Sequence, residues 1–213
     1  MRSIEGTSPR RNGTRTSASL TGQSRRRPGF APQTLPVPLN PTLAAAFPTL
    51  PAPTKTRVFT LVEMMAEGGP TEILLNGQMW DAPTSEMPEL GTTEEWVIVN
   101  PTMDTHPIHL HLVQFQVVSR QPVDAMKYQE HWMMLNGMDP LMSDPVPVDP
   151  TPYLKGKARP ALLTEQGWKD TVQMNPGEVT VIRVQFAPID GSPEYPFDAT
   201  LGQGYVWHCH ILD

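Results

Sequence analysis

The sequence contains a single cysteine, Cys209, among its 213 residues. No disulfide can therefore form within the chain, and this cysteine is either a small buried apolar residue or a reactive thiolate. Long apolar runs are also missing, because no window of about eighteen residues is apolar throughout, as a bilayer-spanning helix requires. We expect no membrane partner, and the sequence leaves the localisation open.

Basic side chains are scarce beyond residue 27. Residues 1–27 hold seven arginines and one glutamate, whereas the rest of the chain carries 9 basic and 21 acidic side chains. An acidic domain repels nucleic acid, so we expect no nucleic-acid partner. The first segment lacks the apolar stretch of a secretory signal peptide, and its composition predicts a disordered basic tail over residues 1–27.

Proline is abundant, at 25 residues of 213, which is more than twice the usual share of about 5%. Proline breaks helices, so a long helical bundle is excluded. Eight prolines fall between residues 28 and 53 and predict an extended linker there. Residues 54–213 then form the domain proper, in which the seven prolines of residues 121–160 predict an irregular insertion.

Short β-branched and aromatic runs recur after residue 54, and turn signals such as Asn76-Gly77 separate them. None of them continues with the 3.6-residue period of a helix. The pattern predicts an all-β protein with an antiparallel sandwich or barrel. The six predicted strands cover residues 57–63, 71–75, 94–99, 108–118, 179–186 and 205–211.

Five of the six histidines lie in two short clusters, His106-Pro-Ile-His109-Leu-His111 and His208-Cys209-His210. Side chains on a strand alternate between its two faces, so the two imidazoles of each H-x-H pair share a face. Cys209 points away from its two neighbours, and His106 has the opposite parity to His109. If the two strands are neighbours, four imidazoles converge on one face, and one thiolate and one imidazole converge on the other.

This separation of nitrogen from sulfur favours copper over zinc. A structural zinc takes four ligands around one point, usually including thiolates, whereas here the one sulfur is segregated from four imidazoles. A cysteine with histidine suits a blue-copper electron-transfer centre. An imidazole-only face suits copper that meets dioxygen, so the sequence predicts copper as the cofactor.

The two clusters also resemble the two C-terminal copper motifs of the multicopper oxidases, which include laccases, bilirubin oxidase, spore-coat oxidases and phenoxazinone synthase. The segments 75–80 and 101–116 are most similar to the bacterial spore-coat and phenoxazinone-synthase branch. The resemblance covers roughly residues 28–213 and implies a cupredoxin-like Greek-key β-sandwich. It identifies residues 54–213 as a C-terminal plastocyanin-like domain.

The resemblance implies a role for each ligand. His106 and Cys209 would bind the type 1, or blue, copper, and His109 would bind the type 2 copper. The coupled type 3 pair would be held by His111, His208 and His210. In the family, electrons from one-electron oxidations pass through the cysteine and its flanking histidines to the trinuclear cluster, where dioxygen is reduced to water.

The family pattern continues beyond Asp213 with a second blue-copper histidine and an axial methionine, and it includes N-terminal cupredoxin domains with two further H-x-H pairs. We therefore expect a C-terminal fragment, short of its last strand or helix and inactive alone. Its partners would be a phenol or aminophenol reductant, dioxygen and N-terminal cupredoxin domains on the same or a separate chain. Two alternatives are a non-enzymatic copper- or partner-binding module and one half of a split oxidase.

Two further features of the sequence have open interpretations. Met133 and Met134 belong to a methionine group in the insertion that either binds cuprous ion or lines the substrate pocket, or else packs as an apolar lid. Asp104, just before the first copper motif, either orients a ligand or contacts substrate, or serves as a turn residue.

Overall fold

Two β-sheets face each other across an apolar core in the computed structural model, which describes residues 49–190, 192, 194–202 and 204–211. The predicted basic tail and residues 28–48 of the predicted linker lie outside the described residues, as do the last two residues of the chain. Residues 49–53 of that linker form neither helix nor strand, and Leu50 among them is buried.

The larger sheet contains six strands. In chain order they are β1 (Lys55–Ala66), β2 (Gly69–Leu75), β3 (Thr93–Asn100), β5 (Phe115–Pro122), β6 (Arg159–Pro160) and β8 (Glu178–Gln185). Their order across the sheet is β2-β1-β3-β8-β5-β6, in which β1 and β3 run parallel and the other neighbours run antiparallel. β-Branched residues are frequent in the central strands β3 and β8, whose residues are all buried or half-buried.

The smaller sheet contains three strands and carries both histidine clusters. They are β4 (His106–Leu110), β7 (Thr171–Met174) and β9 (Trp207–Cys209). β4 lies in the middle and pairs antiparallel with both neighbours. The first copper motif is therefore held by a strand on each side.

The core between the sheets draws on alternate residues of both. Phe59, Trp96 and Ile182 contribute from the larger sheet, and Ile108 and Met174 contribute from the smaller one. Each of these side chains is at most 3% exposed, and full burial of a large apolar side chain stabilises a fold by about 1.5–3 kcal/mol. The alternation fixes the face on which each strand residue lies, so it also fixes the register of the ligand strands.

The predicted single strand over residues 108–118 is wrong. It is two strands, β4 and β5, which belong to different sheets. The chain crosses between the sheets at residues 111–114, where Leu112 adopts a left-handed backbone conformation with φ of 69°. Such a conformation reverses the strand direction locally, and a β-branched run in the sequence does not reveal it.

The prediction of an irregular insertion is wrong for residues 125–136, which form the helix α1 (Ala125–Asn136). Asp124 caps the helix by accepting a hydrogen bond from the backbone N–H of Lys127 at 3.4 Å. Tyr128 and Trp132, one turn apart, are the buried side chains of the helix. The prolines of the insertion lie outside this segment and do not interrupt it, and Gly137, with φ of 85°, ends the helix.

The helix packs on the outer face of the larger sheet, where Tyr128 and Trp132 meet Val99 and Val179. Trp132 lies so close to Gly77 that a Cβ there would come within 2.5 Å of its ring, and the φ of 70° at Gly77 also favours glycine. The Tyr128 hydroxyl donates to the carbonyl of Val148 at 3.2 Å and lies 2.8 Å from the Thr60 hydroxyl. Apolar burial and this polar contact together attach the helix to the sheet.

The all-β fold class is confirmed. The described residues form two facing sheets and include one α-helix of 12 residues. No helix among the described residues has the length and apolar character needed to cross a membrane.

Alkaline pH should weaken the attachment of α1. Burial raises the pKa of Tyr128 to about 12 from its ordinary 10.0, so the folded chain keeps a proton that the unfolded chain releases first. The free energy of unfolding should therefore fall as the pH rises from about 10 to about 12, by about 1.4 kcal/mol for each pH unit. Urea unfolding at several alkaline pH values would measure this slope.

The variant Tyr128→Phe separates this contribution from that of the lysines, which titrate in the same range. It should be less stable than the wild type near neutral pH, and its stability should decline less steeply above about pH 10. Equal slopes for the two proteins would contradict the assignment.

Candidate metal centre

The strands β4 and β9 lie side by side, which meets the condition on which the two predicted clusters depend. Their antiparallel register pairs Ile108 with Cys209 and His109 with His208. Paired residues point to the same face of a sheet. Cys209 therefore lies with the apolar residue Ile108 on the inner face, and the two histidines lie together on the outer face.

Four imidazoles gather on that outer face. Their ring centroids are 4.6 to 5.4 Å apart in five pairs drawn from His109, His111, His208 and His210. Ring nitrogens of His109, His208 and His210 lie within 4.8 Å of one another. Nε2 of His111 is 3.1 Å from Nε2 of His208.

The neighbours of His109 show which of its nitrogens is free to bind a metal. Nδ1 lies 3.0 Å from the carbonyl oxygen of Asp170 and 2.9 Å from the hydroxyl of Thr171 on β7. A carbonyl oxygen only accepts hydrogen bonds, so the proton of His109 belongs on Nδ1. The Nε2 lone pair is then available as a ligand, which is the arrangement typical of metal-binding histidines.

The inner face holds one sulfur and one imidazole. Sγ of Cys209 lies 3.6 Å from Nδ1 of His106. A divalent ion such as zinc binds nitrogen at about 2.0–2.1 Å and thiolate sulfur at about 2.3 Å, so two such ligands of one ion lie within about 4.3 Å of each other. The pair therefore fits the first two ligands of one metal ion.

The position of the proton on His106 again leaves the inward nitrogen free. Nε2 lies 2.8 Å from the hydroxyl of Thr102, and this hydroxyl donates its own proton to Oδ1 of Asn100 at 2.8 Å. The Thr102 oxygen must then accept from Nε2–H of His106. Nδ1 is left with a lone pair directed toward Cys209.

Asn100 is the centre of a fully buried polar network behind this imidazole. Its amide nitrogen donates to the carbonyl oxygens of Asp104 and Met174, both at 2.8 Å. Its amide oxygen accepts from the backbone N–H of Thr102 at 3.0 Å. One side chain thus ties the end of β3 to the loop before β4 and to β7, which holds His106 in place.

Burial also shapes the ionisation of the inner face. It raises the pKa of the Cys209 thiol and lowers the pKa of His106, which is fully buried. Burial and then the charge of Asp104 raise the pKa of Glu63, and contact with the Thr102 hydroxyl offsets part of this effect. A metal ion that replaces the thiol proton removes the cost of a buried free thiolate.

The outer face is more open to solvent. His111 and His210 are exposed, whereas His109 and His208 are half-buried. Partial desolvation and then the neighbouring imidazoles lower the pKa of His111, so it favours the neutral form that binds metal.

The remaining predicted site residues, Asp104, Met133 and Met134, differ in their exposure to solvent. Asp104 is exposed, and its backbone carbonyl takes part in the Asn100 network. Met133 packs partly buried against the cluster around Trp132, but Met134 is 75% exposed. The lid interpretation therefore fits Met133 and is wrong for Met134.

A groove of about 750 Å³ lies between β2, residues 78–86 and β9. Trp80, Glu86, Tyr205 and Trp207 line it together with Cys209. Trp80 is 80% exposed and Tyr205 is 48% exposed. This groove brings an aromatic surface with a carboxylate next to the sulfur ligand.

Sequence reasoning missed Asn100, Thr102, Asp170 and Thr171. Isolated polar residues like these occur in many loops, and β7 was not predicted as a strand at all. A further missed residue is Glu63, for which a signal existed, because it interrupts the apolar side of a predicted strand.

Comparison with known proteins assigns the chain to a family. The family model for multicopper oxidases matches residues 50–213. The chain is 39% identical over 159 residues to multicopper oxidase LPR1 of Arabidopsis thaliana. The aligned region covers 74% of this chain and 27% of the relative. It is 40% identical over 157 residues to a laccase of Bacillus subtilis, with 74% and 25% covered.

Among solved structures, a multicopper oxidase from Campylobacter jejuni aligns with a TM-score of 0.46 at 18% identity, and covers 78% of this chain and 28% of that one. The chain belongs to the multicopper oxidase family, whose cofactor is copper and whose members are oxidoreductases that use dioxygen. Its cupredoxin-like fold class is thereby confirmed. It spans about a quarter of the length of the curated relatives named above.

Replacing the Thr102 hydroxyl should destabilise the chain without any metal. Thr102→Val keeps the shape of the side chain but removes the acceptor for Nε2–H of His106 and one bond to Asn100. Leaving a buried polar group unpaired costs about 1–3 kcal/mol, and urea unfolding would measure the loss. Thr102→Ser keeps the hydroxyl and should lose less; equal losses in both variants would contradict the role of the hydroxyl.

Proposed function

We propose that this chain is the C-terminal copper-binding domain of a multicopper oxidase that oxidises phenols or aminophenols in one-electron steps and reduces dioxygen to water. The observation that carries the proposal is the division of ligands across β4 and β9. Sulfur and one imidazole meet on the buried face, and four imidazoles meet on the open face. Two sites of different chemistry are thus built on one pair of strands.

Each ligand keeps the role that the family resemblance implies. His106 and Cys209 bind the type 1 copper, and His109 binds the type 2 copper. The type 3 pair is held by His111, His208 and His210. Copper, when bound, would supply reversible one-electron chemistry on the inner face and dioxygen reduction on the outer face.

The chain itself orients these ligands and joins the two faces. Thr102 and Asp170 hold the protons of His106 and His109 on the nitrogens that face away from the metals. Cys209 shares a peptide bond with each of its neighbours, His208 and His210. This short run of covalent bonds would join a metal held at the sulfur to metals held by the imidazole face.

The groove beside Cys209 supports the proposal that the reductant is an aromatic molecule. Trp80, Tyr205 and Trp207 offer ring surfaces against which a phenol or aminophenol can stack. Glu86 adds a carboxylate at the same wall. Beyond residue 27 the chain is strongly acidic, which favours neutral or cationic reductants over anionic ones.

The exposure of the imidazole face supports the proposal that partner domains complete the ligand set. His111 and His210 are open to solvent, and four histidines are half of the eight that the family uses for its trinuclear cluster. N-terminal cupredoxin domains, on the same chain or a separate one, would supply the others. If the partner is a separate chain, this protein is one half of a split oxidase.

The two faces should bind copper independently. After anaerobic loading with cuprous ion, which does not oxidise the thiol, Cys209→Ser should lose the copper of the inner face and keep that of the outer face. A double variant, His208→Gln with His210→Gln, should do the reverse. Elemental analysis of the washed proteins gives the copper content of each.

Loss of all copper in both variants would contradict two separate sites.

We also expect no sustained oxygen uptake when the copper-loaded chain is mixed with a phenolic substrate, because the trinuclear ligand set is half present. Sustained uptake by the pure chain would contradict the need for partner domains. A chain that binds copper in both variants but gains no oxidase activity with N-terminal domains would be a non-enzymatic copper module.

The exposed methionines favour a second candidate function, the binding of cuprous ion by thioethers. Met126, Met134, Met138 and Met142 are each at least 53% exposed, so they do not serve as packing for the sandwich. Thioether sulfur is a soft ligand that selects cuprous copper. A methionine surface on and after α1 would hold such an ion outside the two ligand faces.

Replacing Met134 and Met138, two of these exposed methionines, together by leucine should lower the cuprous affinity about tenfold, a loss of about 1.4 kcal/mol. The titration is made in a background that carries Cys209→Ser, His208→Gln and His210→Gln, so that the two ligand faces contribute little. Met65→Leu is the control, because Met65 is 67% exposed but lies on β1. Equal affinities in all three proteins would contradict a thioether site.

A further inference from the structure

Glu63 lies behind the imidazole of His106, and its buried carboxylate has no arginine or lysine partner among the described residues. It sits near the end of β1, and its side chain is 6% exposed. Oε1 lies 3.1 Å from Nε2 of His106, which is its ion-pair contact among the described residues. The alignment falls short of a full hydrogen bond, and this oxygen has no other hydrogen-bond partner in the described part of the chain.

Glu94, one strand away on β3, shows how the same fold satisfies a structural carboxylate. It is 3% exposed. Nε and Nη2 of Arg57 donate to it at 2.6 and 3.0 Å, and Nε1 of Trp96 donates at 2.9 Å. These partners lower the pKa of Glu94 although burial acts in the opposite direction. Glu63 has no guanidinium or indole donor among the described residues; its contacts are Nε2 of His106 and the Thr102 hydroxyl, so its burial is less well compensated in the metal-free chain.

The contact of Glu63 is directed at one of the two inner-face ligands. His106 carries its proton on Nε2, facing Glu63 and Thr102, and presents Nδ1 to Cys209. A cation bound at Nδ1 draws electron density from the ring, so that Nε2–H becomes a stronger donor. The carboxylate would then gain the positive partner that it otherwise lacks.

We propose that Glu63 is a positioning residue for the metal held by His106 and Cys209, and that its carboxylate is compensated only when a cation is bound there. This inference rests on the proposed function, because it presumes that the inner face binds a metal. The carboxylate supports metal binding through His106 and does not touch the metal. It also disfavours the metal-free chain, since its buried charge is then poorly paired.

Cobalt(II) is a suitable probe because it does not oxidise thiols, and its bond to a thiolate gives a strong near-ultraviolet absorption. Since Cys209 is the sole cysteine of the chain, this absorption reports the inner face alone, even when cobalt also binds the outer histidines. The full chain, Glu63→Gln and Glu67→Gln would be titrated with cobalt(II). Glu67 is the matched control, because it is an exposed carboxylate just after β1.

Glu63→Gln should bind cobalt at the thiolate about 10- to 100-fold more weakly than the wild type, as is typical when a partner of a metal-bound histidine is removed. Glu67→Gln should match the wild type. Without metal, Glu63→Gln should unfold at a higher urea concentration than the wild type, because a buried and poorly paired charge has been removed. A carboxylate with a purely structural role would give a lower urea midpoint.

The outcomes separate the two hypotheses. Suppose that the wild type shows the thiolate absorption. The positioning role of Glu63 is then contradicted if Glu63→Gln binds cobalt equally well, or if Glu63→Gln lowers the metal-free urea midpoint. In either case the proposal of an inner-face metal centre is unaffected. If the wild type lacks the absorption at every cobalt concentration, the inner-face metal centre is wrong, and the role of Glu63 falls with it.

Discussion

The alternation of side chains along β4 and β9 is the constraint on which the whole centre depends. A shift of one residue in the pairing of these strands would turn sulfur outward and imidazoles inward. Ile108 and Leu110, both fully or almost fully buried, oppose such a shift because it would expose them to solvent. The apolar core therefore determines which candidate ligands meet, although it contains few of their nitrogen and sulfur atoms.

The register of the strands sets the face on which each imidazole lies, and hydrogen bonds set which of its nitrogens carries the proton. An imidazole has two nitrogens, and a strand position alone does not decide which of them faces a metal. Thr102 on one face and Asp170 on the other make that choice by accepting the ring proton of His106 and His109. Both acceptors lie outside the ligand motifs, on a loop and just before β7, so the smaller sheet and its surroundings act as one unit.

Much of this arrangement could be predicted from the sequence, because it follows from local regularities. The spacing of His109 and His111, and of His208 and Cys209, predicts the faces of each strand, whereas the pairing of the two strands that forms the clusters is known only from the structure. The crossover at Leu112 and the helix α1 could not be predicted in this way. The first depends on one unusual backbone angle, and the second was hidden by the proline content of its surroundings. The acceptors Thr102 and Asp170 are brought to the ligands by tertiary packing alone.

Cys209 and its two histidine neighbours occupy three consecutive positions of one chain. The spacing between the thiol and the imidazole cluster is consequently set by bond lengths and by the extended backbone, and not by the fit of core side chains. Substitutions in the sandwich interior can loosen either pocket, yet they leave the span between the pockets nearly unchanged. The backbone therefore holds the thiol and the imidazole cluster at a nearly constant separation.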